Sequence, residues 1–246
     1  MSRNLILFSF GIIGVFRSQF SAALELTPIE ITLEGTGTKA QGTFQVVNTE
    51  PQPVAIQARV FLREHDLDGH EKRTPSAEFS VYPPQMRLEP KQSRALKITW
   101  RGSQNLPSEK SFRLIVEQLP VEFNKVKINQ GLQLQFLMKF VASVYVGPAI
   151  GRPVVTVESA ILKPGSGSQD QIELILHNEG KRHVILQRIQ MLEAKSLLPA
   201  KDLEWPAEIL APLEGQNILA GNRRRFILPV NKGFKSLPAK LEVKFD

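Results

Sequence analysis

From Val54 to Phe61 the side chains alternate, with Val54, Ile56, Ala58 and Val60 in one row and Gln57 and Arg59 facing the other way. A period of two marks a strand with one buried and one wetted face. The rhythm recurs along the chain. Leu24, Leu26, Ile29, Ile31 and Leu33 alternate imperfectly before a Gly-Thr-Gly turn at 35–37, and Thr43–Val47 runs into a turn at 48–51. Phe79–Tyr82 stops at Pro83 and Pro84, Ala95–Trp100 stops at Gly102, and Phe112–Leu119 and Leu132–Val146 complete seven predicted strands. Short strands punctuated by Gly, Pro and Asn, without a helical period, predict an all-β sandwich.

Two prolines and two glycines interrupt the pattern at 147–153, and the rhythm then restarts. Val154–Leu162, Gln171–Leu176, Val184–Leu192, Arg225–Val230 and Leu241–Phe245 are the strands expected after it. About a hundred residues is a usual size for an immunoglobulin-like domain. The sequence thus predicts two immunoglobulin-like β-sandwich domains joined by a short hinge, over 24–147 and 148–246, and no repeat between the halves is recognisable.

Before them stands a leader. Arg3 precedes the apolar run Leu5–Phe16, and Ser21 and Ala23 supply small residues at a cleavage site. This reads as a secretory signal peptide over 1–23, since the apolar run is too short to span a bilayer. No later run suits a membrane span: Gln133, Gln135 and Lys139 interrupt Leu132–Val146. Of the net charge of +7, two units belong to Arg3 and Arg17 in the leader. The remaining basic residues are scattered, without the aromatic interleaving of a nucleic-acid platform, and read as a soluble surface with no nucleic-acid partner. The chain has no cysteine. The fold must therefore rest on its own core, and thiol nucleophiles, thiolate metal sites and disulfides are excluded. Export, basic charge and absent cysteine fit a bacterial periplasm.

The run from Leu132 to Gly147 would extend about 50 Å at about 3.3 Å per residue, well beyond an ordinary strand. Leu132, Leu134, Phe136, Met138 and Phe140 share one face; Gln133, Gln135 and Lys139 share the other, with Leu137 the exception. Two readings fit such a row. It fills the protein's own core, or part of it lies in the groove of a partner that lacks a strand, where backbone pairing supplies affinity and alternate side chains fill pockets. An uncovered edge of this kind is an aggregation hazard unless it self-caps or has a dedicated partner.

Three further patterns stand in order along the chain. Pro83 and Pro84 are followed by Leu88, Pro90, Leu96 and Ile98; Phe112-Arg113-Leu114-Ile115 leads to Glu117, Leu119 and Pro120; and the long strand ends in Val146-Gly147-Pro148. Together they resemble the periplasmic pilus-assembly chaperones of the chaperone–usher pathway, the PapD-like superfamily, in its archaic or alternative branch. The resemblance covers most of 24–148 and, more loosely, 149–246. It implies donor-strand complementation: Leu132, Leu134, Phe136 and Met138 stand where the family lends a row of side chains to an incomplete pilin subunit. It also implies an outer-membrane usher as a second partner, a self-capped homodimer when unbound, and no cofactor. A basic pair that anchors the subunit's C-terminal carboxylate is part of the family pattern, but Glu30 and Ser143 occupy those positions here. Arg113 is the expected replacement, with Lys139 second, because a paired guanidinium–carboxylate contact is strong where water is excluded.

Other motifs carry less. The stretch His65 to Glu71 has Asp-x-Asp-Gly spacing, but Pro75 stands where a calcium loop needs its glutamate, so a polar hairpin turn is expected there. Gly165–Ser168 lacks the lysine and helix of a phosphate cradle. Arg223–Arg225 reads as a solvated strand start. No nucleophile elbow, acid–base pair or metal cluster can be assembled, so no enzymatic activity is expected. The rival to the chaperone reading is a secreted structural or adhesive β-sandwich protein whose long strand is buried in its own core.

Overall fold

A computed structural model of the chain describes residues 24–121, 136–165, 169–193, 206–231 and 241–244. The first domain is built from β1 (Leu24–Thr27), β2 (Glu30–Glu34), β3 (Gln41–Asn48), β4 (Val54–His65), β5 (Glu71–Pro75), β6 (Phe79–Tyr82), β7 (Gln85–Leu88), β8 (Ser93–Trp100), β9 (Lys110–Gln118) and β10 (Lys139–Gly147). The second contains β11 (Val155–Lys163), β12 (Gln169–Asn178), β13 (Val184–Ile185), β14 (Gln190–Glu193), a helical turn α1 (Ala207–Leu210), β15 (Asn217–Ile218), β16 (Arg223–Asn231) and β17 (Leu241–Lys244). The chain is all-β and forms two immunoglobulin-like sandwiches, as the alternation predicts.

In the first domain one sheet has the order β1-β3-β8-β6, and the other β2-β10-β9-β4-β5, with β7 paired to the start of β4. Their inner faces carry the period-two rows: Val54, Ile56, Ala58 and Val60 from β4, Phe112, Leu114 and Val116 from β9, and Ala142, Val144 and Val146 from β10. Phe44, Leu96, Ile98 and Trp100 close the core from the facing sheet. Phe79, Trp100 and Phe112 meet edge-on with ring centroids 5.0–5.6 Å apart, the arrangement that ring quadrupoles favour. A second core gathers Ile172, Leu174 and Leu176 of β12 with Phe226 and Leu228 of β16, Leu186, Leu210 and Leu213.

The sequence reading needs correction in several places. The segment Leu24–Leu33 is two strands in different sheets: β1 pairs antiparallel with β3, and β2 pairs parallel with β10. The break falls at Thr27-Pro28, where proline can offer no N–H to a ladder. Val184–Leu192 is interrupted, since only Val184–Ile185 and Gln190–Glu193 pair. The strand expected from Leu132 runs from Lys139 onward; Met138 just before it still accepts from the Gln118 N–H at 2.8 Å, and Phe136 and Leu137 precede that. Leu132 and Leu134 lie outside the described residues.

One buried polar device occurs in both domains. Asn48 ends β3 fully buried; its Nδ2 donates to the carbonyls of Gln52 (2.8 Å), Glu89 (3.0 Å) and Leu88 (3.3 Å), and its Oδ1 accepts from the N–H of Glu50. Asn178 ends β12 in the same manner, donating to Arg182, Ile218 and Leu219 and accepting from Val154 and Gly180. Even the backbone matches: Asn48 N–H donates to Gln92 O and Asn178 N–H to Asn222 O. Each asparagine satisfies a turn that would otherwise bury orphan carbonyls. Asn48→Ala and Asn178→Ala should therefore each destabilise their domain by about 2–3 kcal/mol. Urea unfolding at pH 7 checks this, with the midpoint lowered and the slope unchanged.

Candidate functional site

The outer face of the six-stranded sheet carries the odd-numbered residues of β4, β9 and β10, because their even-numbered partners fill the core. Register then decides who meets whom. Ser143 of β10 lies opposite Glu30 of β2 on one side and Arg113 of β9 on the other, and Arg113 lies opposite Phe61 of β4. Near them Arg63 of β4 is opposite Arg73 of β5, and His65 is opposite Glu71. Two arginines facing each other across a ladder repel.

Glu71 resolves that repulsion. Its carboxylate accepts from Arg113 Nη2 at 2.7 Å and from Arg113 Nε at 3.1 Å, lies 2.8 Å from Arg63 Nε, and pairs with Arg73 Nε. Three guanidinium groups from three strands thus converge on one carboxylate. Arg113 Nη1 donates to Ser143 Oγ at 2.6 Å, so each of its three nitrogens makes a hydrogen bond. Arg63 is buried, 7% exposed, and its Nη1 donates to the hydroxyl of Tyr145, which also accepts from Asn217 Nδ2 in the second domain at 2.9 Å. Burial and the neighbouring Arg113 lower the Arg63 pKa, against the pull of Tyr145 and Glu71.

The site lies where the domains meet. The Tyr145 ring stacks on His183 with centroids 3.6 Å apart, and His183 Nδ1 sits 2.6 Å from Oε1 of the fully buried Glu109 side chain. The hairpin between β4 and β5 crosses to the second domain. Arg225 donates to both oxygens of Asp68 at 2.7 Å, its N–H donates to Leu67 O, and Asn222 Nδ2 donates to His65 O. Gly69 at the tip has φ +83°, and an added Cβ there would run into the Arg224 guanidinium. The positive φ favours glycine, and any larger residue would also have to displace the Arg224 guanidinium.

The structure thus brings Arg113 beside Ser143 but sets Lys139 apart. Lys139 is half exposed at the start of β10, 4.0 Å from Glu117, about 13 Å along the strand from Ser143. Met138 and Phe140 are partly buried against the first domain's core, whereas Phe136 is 82% exposed. Sequence reasoning missed Arg63, Arg73 and Glu71. The sequence places Glu71 at the edge of a polar turn, and the stretch between His65 and Glu71 is a turn, in which Asp66 accepts from the His70 N–H at 2.8 Å. The signal available was the alternation of β4: continued past Phe61, it places Arg63 and His65 on the outer face.

Two titrations report on the site. Burial and the charges of Arg63 and Arg224 push His65 down to about 4. Its Nε2 accepts from Arg63 Nε at 3.2 Å, which requires the neutral ring. Burial alone would raise the Glu71 pKa, but the hydrogen bonds from Arg113 and Arg73 and the charge of Arg63 outweigh it and hold the carboxyl at about 2. Both folded values lie below the unfolded ones of 6.5 and 4.5. In each window the unfolded chain binds the extra proton, so acidification destabilises the fold. Stability should fall first between pH 6.5 and about 4 through His65, then between pH 4.5 and about 2 through Glu71. Urea midpoints measured from pH 7 to 2 check this: His65→Gln should remove the upper step, and Glu71→Gln, less stable than wild type at pH 7, should converge with it near pH 2.

The profile of the pili and flagellar-assembly chaperone family, PapD N-terminal domain, matches residues 24–149. No curated protein matches the chain. Among solved structures it is similar to the chaperone–tip adhesion subunit pre-assembly complex of CsuC and CsuE from the archaic chaperone–usher Csu pili of Acinetobacter baumannii, at 19% identity and TM-score 0.57 over 91% of this chain and 97% of that one. The class 5 fimbriae chaperone CfaA is similar at 12% identity and TM-score 0.55 over 91% and 98%. The E. coli chaperone DraB is similar at 19% identity and TM-score 0.51 over 85% of each. At such identities these structures establish the shared two-sandwich fold. The chain belongs to the pilus-assembly chaperone family, through an N-terminal domain of the PapD kind.

Proposed function

We propose that the protein is a periplasmic chaperone that completes pilin subunits by lending them a strand and hands them to an outer-membrane usher. One observation carries this reading. The even-numbered side chains of β10 fill the protein's own core from Val146 back to Ala142 and are partly buried at Phe140; in the segment before β10, Met138 is still partly buried and Phe136 is exposed. The row of apolar side chains therefore outruns the core it serves. Leu134 and Leu132 continue it in sequence. A subunit with a missing strand would take Leu132, Leu134, Phe136 and Met138 into its groove while its backbone pairs with the donor segment. Burying such side chains at about 25 cal/mol per Å² supplies several kcal/mol before ordering costs, without nucleotide or cofactor.

The subunit's terminal carboxylate would be held at Arg113, beside Ser143 and inside the cleft between the domains. Lys139, tied to Glu117, is the lesser partner in that scheme. The leader over 1–23 would deliver the chain to the periplasm, and two unbound copies would cover each other's exposed rows as a homodimer.

The experiment is a pull-down of the mature protein from cells that co-express a pilin subunit, comparing wild type with Phe136→Arg and with Leu134→Arg/Phe136→Arg. Phe136 is exposed, so its replacement should shift stability by less than about 0.5 kcal/mol while capture of the subunit is lost. Capture by the variants equal to that of wild type, with cooperative melting retained, would sink the donor-strand reading. Unfolding of the double variant without capture by wild type would place the row in the protein's own core.

A further inference from the structure

Glu71 already fills the arginine site. We propose that the Glu71 carboxylate is an internal occupant of a carboxylate-binding site formed by Arg63, Arg73 and Arg113, and that a client's terminal carboxylate enters by displacing it. The inference rests on the anchor reading of Arg113 given above and concerns how that site is regulated.

Donor geometry and charge favour the exchange. Arg113 presents its Nε–Nη2 edge to Glu71 and one Nη1 hydrogen to Ser143, which leaves a single hydrogen on each terminal nitrogen. An arriving carboxylate gains the Nε–Nη2 edge only where Glu71 lets go, and on the terminal nitrogens beside Glu71 it would meet a like charge. The swap is also electrostatically balanced, because one carboxylate replaces another among three guanidinium groups. Without either, Arg63 would be left buried beside like charges, a strongly destabilising arrangement. A carboxylate-free segment lying in the cleft offers no such compensation and does not release Glu71. The site would then discriminate a chain end from a chain interior.

The mobility needed is local. β5 carries Glu71 at the edge of its sheet, pairs among the described residues with β4, and contributes no side chain to the core. Its departure breaks one edge ladder and leaves the sandwich intact. The hairpin tip is tied to the second domain through Asp68 and Arg225 and through Leu67 O. Displacement of Glu71 therefore loosens a strap between the domains as the client enters.

The test uses the mature wild-type chain and Glu71→Gln with a short fluorescein-labelled peptide of alternating valine and threonine, ending either in a free carboxylate or in an amide. By fluorescence anisotropy Glu71→Gln should bind the carboxylate form about tenfold more tightly than wild type does, and the amide form with unchanged affinity. Because removal of Glu71 can weaken the fold, hydrogen exchange of the unsubstituted protein gives an independent reading: the carboxylate peptide at saturation should speed exchange of amides 66–74, and the amide peptide should not. An equal gain for both peptides, no gain for either, or a hairpin equally protected with both would overturn the proposal. If wild type prefers the carboxylate peptide but Glu71→Gln gains nothing, the exchange fails and the anchor stands. If neither protein distinguishes the peptides, the anchor falls with it.

Discussion

The register of β10 is the constraint on which the rest depends. Parallel pairing with β2 and antiparallel pairing with β9 fix every residue from Lys139 to Gly147 to one face or the other. A slip by one residue would exchange those faces, turning Val144 and Val146 to the outside and Ser143 and Tyr145 into an apolar core. In the observed register the even positions fill the sandwich and lead outward to Phe136. The odd positions bring Ser143 to Arg113 and Tyr145 to Asn217 and His183. One strand thereby serves the core, the apolar row and the junction between domains.

A packed outer face with three arginines needs a counter-charge, and the β4–β5 hairpin provides it. Arg63 and Arg73 are directly opposed, and Arg113 stands on the neighbouring strand. Desolvation disfavours the charge of buried Arg63, and repulsion from Arg113 adds to it. Glu71 is the group that makes the arrangement tenable, and its own depressed pKa is the same interaction seen from the carboxylate's side. The pull of Tyr145 on Arg63 passes through a hydroxyl that also binds Asn217, so the second domain's position and the arginine cluster share one hydrogen-bonded path.

How much of this was legible in the sequence follows from what alternation encodes. The rows Val54–Val60, Phe112–Val116 and Ala142–Val146 announce their strands because one face is apolar and the other is not. β5, with Lys72, Arg73 and Thr74, has no apolar row, and its place is fixed by a ladder to β4 rather than by its own pattern. β7 alternates through only two apolar residues, Met86 and Leu88. The split of Leu24–Leu33 was hidden because both sheets bury the same kind of side chain. The kinship of the two domains was hidden too, since it lies in what Asn48 and Asn178 bind, and single polar residues leave no period. Arg113 came from family likeness; its partner Glu71 did not, because the pairing spans 42 positions and depends on the register of three strands.

The two halves of the binding scheme lie on opposite faces of one strand, with Met138 at the end of the apolar row and Ser143 at the arginine cluster. About 16 Å of extended chain separates them. A client strand paired along β10 and its donor segment would therefore have its end set against the cleft whenever its side chains are seated in register with the row. Backbone pairing alone would permit a slide by two residues, because that preserves the faces; an anchor at the Arg113–Ser143 pair would penalise it, because the terminal carboxylate would then fall short of or past the guanidinium. In the proposed scheme the apolar row would supply most of the contact area, and the charged anchor would decide where along the strand that area is used.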